Sequence, residues 1–212
     1  MKKYKIQSGT ALTLGGLLLI AAALFLTVYN LQDAERAKRE AVEALQQIES
    51  MTAEAGRKAL HAPSQPEAEE PETRDPQREM PEVEIDGAAY IGTLELPALS
   101  LSLPVLSHWS YAGLRQAPCR YKGSAYLDNL IIAAHNYPAH FGRLKELWAG
   151  DAVIFTDAEG TAYAYTVTET ETLDGAAVRD MEAGDWDLTL FTCTPGGKSR
   201  VTVRCVRSAR TP

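Results

Sequence analysis

An uncharged stretch near the amino terminus constrains this chain more than any other feature. It runs from Ile6 to Gln32, and its centre, from Leu12 to Val28, is almost wholly apolar. A helix rises about 1.5 Å per residue, so roughly 20 apolar residues cross a hydrocarbon core about 30 Å thick. We therefore expect a cytoplasmic tip and a transmembrane anchor within residues 1–31.

The charges around this stretch bear on its orientation. Lys2, Lys3 and Lys5 precede it and favour a cytoplasmic amino terminus, although Arg36 and Lys38 soon follow it. A basic tip before an apolar run is how export segments begin, so we predict a single-pass protein of the cell membrane with its remainder outside the cell. A cleaved secretory signal begins in the same way, but no clear small-x-small cleavage site follows the run.

Two further segments separate the apolar run from the rest of the chain. Residues 32–61 are rich in helix formers, with a narrow stripe of Val42, Leu45, Ile48 and Met51. The stripe would suit a short coiled-coil seam, but it covers too few heptads to predict one, and we prefer a solvated helical stalk. Residues 62–83 combine several prolines with acidic side chains, a composition typical of an extended, flexible linker.

Residues 84–212 have the pattern of a mainly β domain. Short alternating or apolar runs are separated by Gly, Pro and Asp, and only Phe141–Trp148 and Ala176–Glu182 favour short helices. Many short strands with few helices predict a closed β-barrel. The predicted strands are Tyr90–Leu96, Leu99–Leu103, Leu130–Ala134, Ala152–Thr156, Ala162–Thr170, Leu188–Thr192 and Arg200–Val206.

Composition excludes several classes of function. The net charge of -7 over 212 residues argues against a nucleic-acid partner, because no basic face is available to neutralise phosphates. The 3 cysteines form no CxxC pair, and His108, His140 and Cys119 fit no common zinc spacing. We therefore expect no metal and no cofactor. A disulfide between Cys119 and Cys205 is chemically reasonable outside the cell, and the sequence leaves it open.

Three side chains that suit nucleophilic catalysis lie at predicted strand ends. Cys193 ends an apolar strand before Thr-Pro-Gly-Gly, and Arg200 opens the next strand, so a hairpin returns the two to one end of the barrel. His135 ends another apolar strand. A Cys–His pair generates a thiolate nucleophile, and a guanidinium stabilises a thiolate or an oxyanion.

Each of these residues also has a plainer interpretation. A cysteine at the end of an apolar strand is commonly a small buried hydrophobe, and an arginine on a strand is usually a surface residue. Arg204 shares a face with Arg200 by the alternation of a strand and is a second candidate for the arginine role. Trp109, Tyr111 and Tyr121 fit either a substrate groove or the core, and the core is the default for aromatic side chains.

The same segments resemble the sortase family of Gram-positive bacteria. Leu190-Phe-Thr-Cys193 is similar to the family's Leu-x-Thr-Cys motif, and Ala133-Ala-His-Asn136 resembles the segment that carries its histidine. Arg200-Val-Thr-Val203 resembles the arginine that opens the final barrel strand, and Tyr90–Pro97 resembles the first strand. The order and spacing of these motifs make the likeness specific.

The resemblance implies a sortase-like β-barrel and a two-step acyl transfer. Cys193 would attack a Thr–Gly-type bond in an LPxTG-like sorting signal of an exported surface protein, and His135 would serve as acid and base. Arg200 would stabilise the oxyanion, and Thr192 would help to line the substrate site. The thioester would pass to an amine of a peptidoglycan precursor or of a pilin.

Two other classes of protein remain as alternatives. A membrane-tethered, non-catalytic β-domain that acts as an adaptor would have no reactive thiol. An exported cysteine peptidase would have the same thiol but would release its product to water rather than to an amine.

Overall fold

The computed structural model describes residues 8–61 and 78–208. The predicted basic tip and most of the predicted linker, residues 62–77, lie outside this part of the chain. Helices are α1 (Ser8–His61), α2 (Gly113–Gln116) and α3 (Val178–Glu182), and 3-10 turns occupy Pro97–Leu99 and Leu144–Glu146. The strands are β1 (Val83–Ile85), β2 (Ala88–Leu96), β3 (Leu101–Leu106), β4 (Cys119–Lys122), β5 (Leu130–Ala134), β6 (Ala152–Asp157), β7 (Ala162–Asp174), β8 (Leu188–Cys193) and β9 (Ser199–Arg207).

The strands close into a barrel, which confirms the predicted mainly β fold. Their order is β1-β2-β3-β4-β5-β8-β9-β7-β6, and β2 also pairs with β6. That last pairing joins the two ends of the sheet, so eight strands form the barrel and β1 extends from β2. Most neighbours are antiparallel, whereas β3–β4 and β5–β8 are parallel.

Two apolar clusters lie on the two sides of the barrel wall. The interior cluster includes Leu130, Leu190 and Val203, and the outer cluster includes Ile131, Ala133 and Phe191. Alternate residues of a strand point to opposite faces, so a strand that contacts both clusters is apolar throughout. This explains why all of Leu130–Ala134 is buried.

Barrel closure depends on Gly92, which lies in a bulge of β2. Its φ of 145° is one that side chains rarely adopt, and a Cβ there would overlap the carbonyl oxygen of Thr156 on β6. The register pairs Gly92 with Asp157, at the seam where β2 meets β6. Glycine therefore lets the two ends of the sheet approach closely enough to pair.

The stalk segment is helical, but the expectation that it is solvated on all sides is wrong. One stripe of α1 is buried against the head, formed by Ala37, Ala41, Ala44 and Ile48. These residues recur at helical spacing and face β3 and α2. Of the predicted stripe, Ile48 belongs to this buried face, whereas Val42 and Met51 are exposed. Small alanines, rather than the larger apolar residues, form most of the packing face.

The apolar part of α1 lies clear of the head. A stretch within Ala11–Met51 is long and apolar enough to cross a membrane, and its large apolar side chains from Leu12 to Leu31 are exposed. These are the properties of a possible membrane anchor. The boundaries proposed between anchor, stalk, linker and head stay predictions.

Some elements differ from the prediction. The short elements β1, β4 and α2 were not predicted, because runs of three or four residues carry too little periodicity to recognise. The helix predicted over Phe141–Trp148 is instead a set of turns around the 3-10 turn Leu144–Glu146.

Replacing Gly92 by alanine is expected to lower the free energy of unfolding by about 3 kcal/mol or more, because the Cβ forces the closing strands apart. Gly87→Ala is the matched control. Gly87 also has a positive φ, 79°, but nothing lies within contact distance of an added Cβ. We expect it to cost about 1 kcal/mol. Urea unfolding in detergent, followed by tryptophan fluorescence, measures both; equal losses would contradict the steric explanation.

Candidate active site

The loop after β8 fixes the position of Cys193. The amide of Thr194 donates to the carbonyl oxygen of Ser199 at 2.8 Å, and the amide of Gly197 donates to that of Thr194 at 2.8 Å. Gly196 and Gly197 both have positive φ values, as a tight turn requires. The strand therefore stops at Cys193, whose side chain is exposed.

The hairpin formed by β8 and β9 brings Cys193 and Arg200 together. Their Cα atoms are register partners, the last such pair before the turn. Residues opposite each other across an antiparallel pair have side chains on the same face, with Cβ atoms about 5 Å apart. The thiol and the guanidinium therefore project from neighbouring positions.

The parallel pairing of β5 with β8 brings in His135 from the other side. Ala134 pairs with Thr192, so the next residues along the two strands are His135 and Cys193. Adjacent strands lie about 4.8 Å apart, so His135, Cys193 and Arg200 form a short row across three strands. The three residues singled out in the sequence meet at one rim of the barrel.

Alternation places this row on the outer face of the barrel wall. Ala133 lies two positions before His135, and Phe191 lies two positions before Cys193; both belong to the outer cluster. Side chains two positions apart on a strand point to the same face, so His135 and Cys193 face outward as well. The charge of Arg200 also acts on Tyr121, another residue packed against that cluster. The row thus lies outside the barrel interior, with Cys193 exposed and His135 and Arg200 partly buried.

Thr192 lies on the opposite face from Cys193. It is buried, and its hydroxyl donates to the carbonyl oxygen of Ala134 at 2.8 Å. This bond ties β8 to β5 one residue before the candidate thiol and imidazole. Its hydroxyl is directed toward the neighbouring strand and away from the face that carries Cys193. A substrate-lining role for Thr192 therefore stays a prediction.

Arg200 and Arg204 have different surroundings. The Arg204 guanidinium is buried and donates to the carbonyl oxygens of Met181 and Asp180, both at 2.7 Å, and to Glu171 at 2.8 Å. Its donors are committed to α3 and β7. By contrast, Nη1 of Arg200 is buried and has no hydrogen-bond partner among the described residues. Arg200 is therefore the arginine that retains a donor for another molecule.

The loop that follows β5 holds His135 in place. Phe141 is fully buried, and its amide donates to the carbonyl oxygen of His135 at 3.1 Å. At Gly142 a Cβ would overlap the carbonyl oxygens of Asn136 and Tyr137, so this turn requires glycine. The loop folds back on itself immediately after the imidazole.

Burial lowers the pKa of His135, and the positive charge of Arg115 on α2 lowers it further, while Asp33 opposes both. Since the ordinary value is already near 6.5, the imidazole is mostly neutral at pH 7. A neutral imidazole beside a thiol accepts its proton, and the resulting imidazolium then has a proton to donate. The row therefore has the parts for nucleophilic acyl transfer.

The other two cysteines are chemically distinct from Cys193. Cys119 and Cys205 are free and buried, one in the outer and one in the interior cluster. Burial raises the pKa of Cys119 to about 11 and that of Cys205 to about 12. Both thiols stay protonated at neutral pH, which makes them poor nucleophiles.

A row of aromatic rings leads away from Cys193 along the outer face. Phe191 packs edge-on against Tyr121 at 5.4 Å, Tyr121 against Trp109 at 6.1 Å, and Trp109 against Tyr111 at 5.0 Å. Tyr111 is 75% exposed and Trp109 39%, so the default placement of these two in the core is wrong. The sequence gives no periodic signal for them, since both lie in the connection between β3 and α2.

No group of three or more His, Cys, Asp and Glu side chains suited to a metal ion occurs within residues 8–61 and 78–208.

Comparisons with known proteins agree with the fold. The family model described as "Sortase domain" matches residues 94–210. Sortase A of Listeria monocytogenes is 29% identical over 114 residues, which are 51% of this chain and 51% of that protein. The chain thus matches about half the length of that curated relative.

Solved structures support the same architecture. Sortase C of Streptococcus pneumoniae, whose structure concerns catalysis and pilin substrate specificity, aligns with a TM-score of 0.54 at 22% identity, covering 80% of this chain and 99% of that one. A Clostridium perfringens sortase D5 transpeptidase aligns with a TM-score of 0.55 at 15% identity, covering 81% and 99%. At these identities the likeness is one of fold.

Iodoacetamide at pH 7.5 is expected to modify Cys193 alone in the folded protein, because the other two thiols are buried and protonated. Peptide mass spectrometry locates the adducts, and the urea-unfolded chain, in which all three thiols react, serves as the control. Modification of Cys119 or Cys205 at a comparable rate in the folded protein would contradict the assignment.

The two arginines are expected to affect stability differently. Arg204→Gln leaves the Met181 and Asp180 carbonyl oxygens and the Glu171 carboxylate without their guanidinium donor and should cost about 3 kcal/mol. Arg200→Gln should change the free energy of unfolding by less than about 1 kcal/mol, since its Nη1 has no partner to lose. Urea unfolding of the two variants compares them, and similar losses would show that Arg200 is also structural.

Proposed function

The chain belongs to the sortase family, and on that premise we propose that it is an exported cysteine transpeptidase that acts on sorting signals of surface proteins. The observation that carries this proposal is the row of His135, Cys193 and Arg200 across β5, β8 and β9. The exposed thiol has an imidazole on one side and a guanidinium on the other, and the other two cysteines are buried.

In the first half-reaction the Cys193 thiol loses its proton to His135 and attacks the carbonyl carbon of a Thr–Gly-type bond. The carbonyl π electrons move to the oxygen, and Arg200 donates hydrogen bonds to this oxyanion. Collapse of the intermediate breaks the C–N bond, and the imidazolium of His135 protonates the departing amine. A thioester between Cys193 and the threonine carbonyl remains.

In the second half-reaction an amine attacks the thioester carbonyl. His135, now neutral, accepts the proton that the amine loses, and the Cys193 thiolate departs and takes this proton from the imidazolium, which restores the thiol. A new amide bond joins the sorted protein to the acceptor. The free Nη1 donor of Arg200 is available to both tetrahedral intermediates because no described residue occupies it.

Substrate binding is best assigned to the outer face. The aromatic row begins at Phe191, two positions before Cys193 on β8, and ends at Tyr111, which is exposed. Flat aromatic surfaces suit an extended, apolar peptide such as an LPxTG-like motif. Thr192 contributes indirectly, by tying β8 to β5 beneath the reacting groups.

The apolar stretch of α1 supports a cellular setting at the membrane. We assign the apolar stretch to a single membrane span with the barrel outside the cell, where sorting signals of exported proteins emerge. The acceptor is then an amine of a peptidoglycan precursor or of a pilin. A peptidase that releases its product to water would use the same thioester, so the acceptor distinguishes the two reactions.

The test uses the full-length protein in detergent with an LPxTG-type peptide library, with and without triglycine or hydroxylamine. We expect a covalent adduct on Cys193 and, when amine is present, a peptide–amine product seen by mass spectrometry. Cys193→Ala should abolish both, and His135→Gln and Arg200→Gln should lower kcat/KM by about a hundredfold or more.

Lys198→Gln is the matched control for the arginine, since Lys198 is exposed and lies in the turn just before Arg200. This control should retain nearly full activity. Formation of acid alone in saturating amine would favour the peptidase, and an unreactive Cys193 without any adduct would favour the adaptor.

A further inference from the structure

A side chain of the stalk helix reaches the loop that carries His135. The Tyr137 hydroxyl donates to Oδ2 of Asp33 at 2.7 Å. The Tyr137 ring lies 5.0 Å from the His135 imidazole, centroid to centroid, with an angle of 35° between the ring planes. A single tyrosine therefore links a carboxylate on α1 to the candidate acid and base.

Asp33 is held where it is by the packing of α1. It lies one helical turn before Ala37 and continues the buried stripe of Ala37, Ala41, Ala44 and Ile48. It is also the first charged residue after the apolar stretch. The contact thus extends the face by which α1 packs against the head.

Tyr137 is a dependable donor in this contact. Burial raises its pKa to about 12, with a further contribution from its hydrogen bond to Asp33. The hydroxyl therefore keeps its proton wherever the protein is folded and active. The Tyr137 ring also lies 5.5 Å from the buried ring of His140, centroid to centroid, so the tyrosine is close to two imidazoles.

The charges that face His135 come from several elements. Asp33 on α1 favours its protonated form, whereas Arg115 on α2 and burial disfavour it. Tyr137 and the neutral His140 flank it within its own loop, and Cys193 lies beside it on β8. Among the side chains that act on His135, Asp33 supplies the negative charge.

We propose that Asp33 and Tyr137 are positioning residues for His135, so that the stalk of α1 completes the active site. This inference rests on the proposed function, in which His135 donates a proton to the leaving amine. Tyr137 would fix the plane of the imidazole, and the Asp33 carboxylate would favour the imidazolium that forms during the reaction.

The experiment compares Asp33→Asn, Tyr137→Phe and the control Glu35→Gln in full-length protein held in detergent micelles. Asp33→Asn keeps an oxygen acceptor for Tyr137 but removes the charge. Glu35→Gln removes the same charge from an exposed site on the same helix. NMR titration of the histidine Cε1–H signals, assigned by His→Gln substitution of the 4 histidines, follows His135 directly.

We expect Asp33→Asn to lower the pKa of His135, because the carboxylate that favours the protonated ring is gone. The acid limb of the kcat/KM profile, measured with an LPxTG-type peptide and triglycine, should move to lower pH by the same amount, because His135 must be neutral to accept the thiol proton. Tyr137→Phe should lower kcat roughly tenfold with little change in KM. Glu35→Gln should leave the titration and the profile as in the wild type.

Titration of His135 that is the same in Asp33→Asn, Glu35→Gln and wild-type protein would overturn the inference, as would full kcat in Tyr137→Phe. A loss of stability in Asp33→Asn without a change in the His135 pKa would reduce the contact to a structural one. Failure of the wild-type protein to form a Cys193 thioester would instead refute the proposed function, while the titration would still report on the coupling of Asp33 to His135.

Discussion

The pairing register of β5, β8 and β9 is the constraint on which the site depends. Cys193, His135 and Arg200 come from three strands, and their proximity is set by backbone hydrogen bonding. A shift of one residue in either pairing would turn one side chain to the interior of the barrel. The apolar residues of β5 and β8, which fill the interior and outer clusters in alternation, make such a shift costly.

The sequence was a good guide to the ends of the strands and to the hairpin. Cys193 and His135 each follow an apolar run, and the short Thr-Pro-Gly-Gly connection returns the chain to Arg200. The adjacency of β5 and β8 is a different matter. The strands β6 and β7 and the helix α3 lie between them in the chain. Nothing local in β5 or β8 specifies a parallel partner. Only the resemblance to the sortase family supplied that information.

The same limit explains what was missed around the site. Alanine is both a good helix former and a small packing residue, so the face that α1 buries cannot be distinguished from a solvated one by composition. Asp33 and Tyr137 are far apart in the chain, and neither belongs to a periodic pattern. The choice between Arg200 and Arg204 also needed coordinates, because the two share a face and differ only in whether acceptors surround the guanidinium.

The buried guanidinium of Arg204 has a consequence for the shape of the barrel wall. It joins β9 to the end of α3 through two main-chain carbonyl oxygens and to β7 through Glu171. Main-chain acceptors remain when side chains change, so this contact does not depend on which side chains residues 180 and 181 carry. It does fix the path of the segment between β7 and β8, because moving those carbonyls would leave a positive charge buried without acceptors. The barrel wall beside the thiol thus has a preset shape, onto which different side chains are fitted.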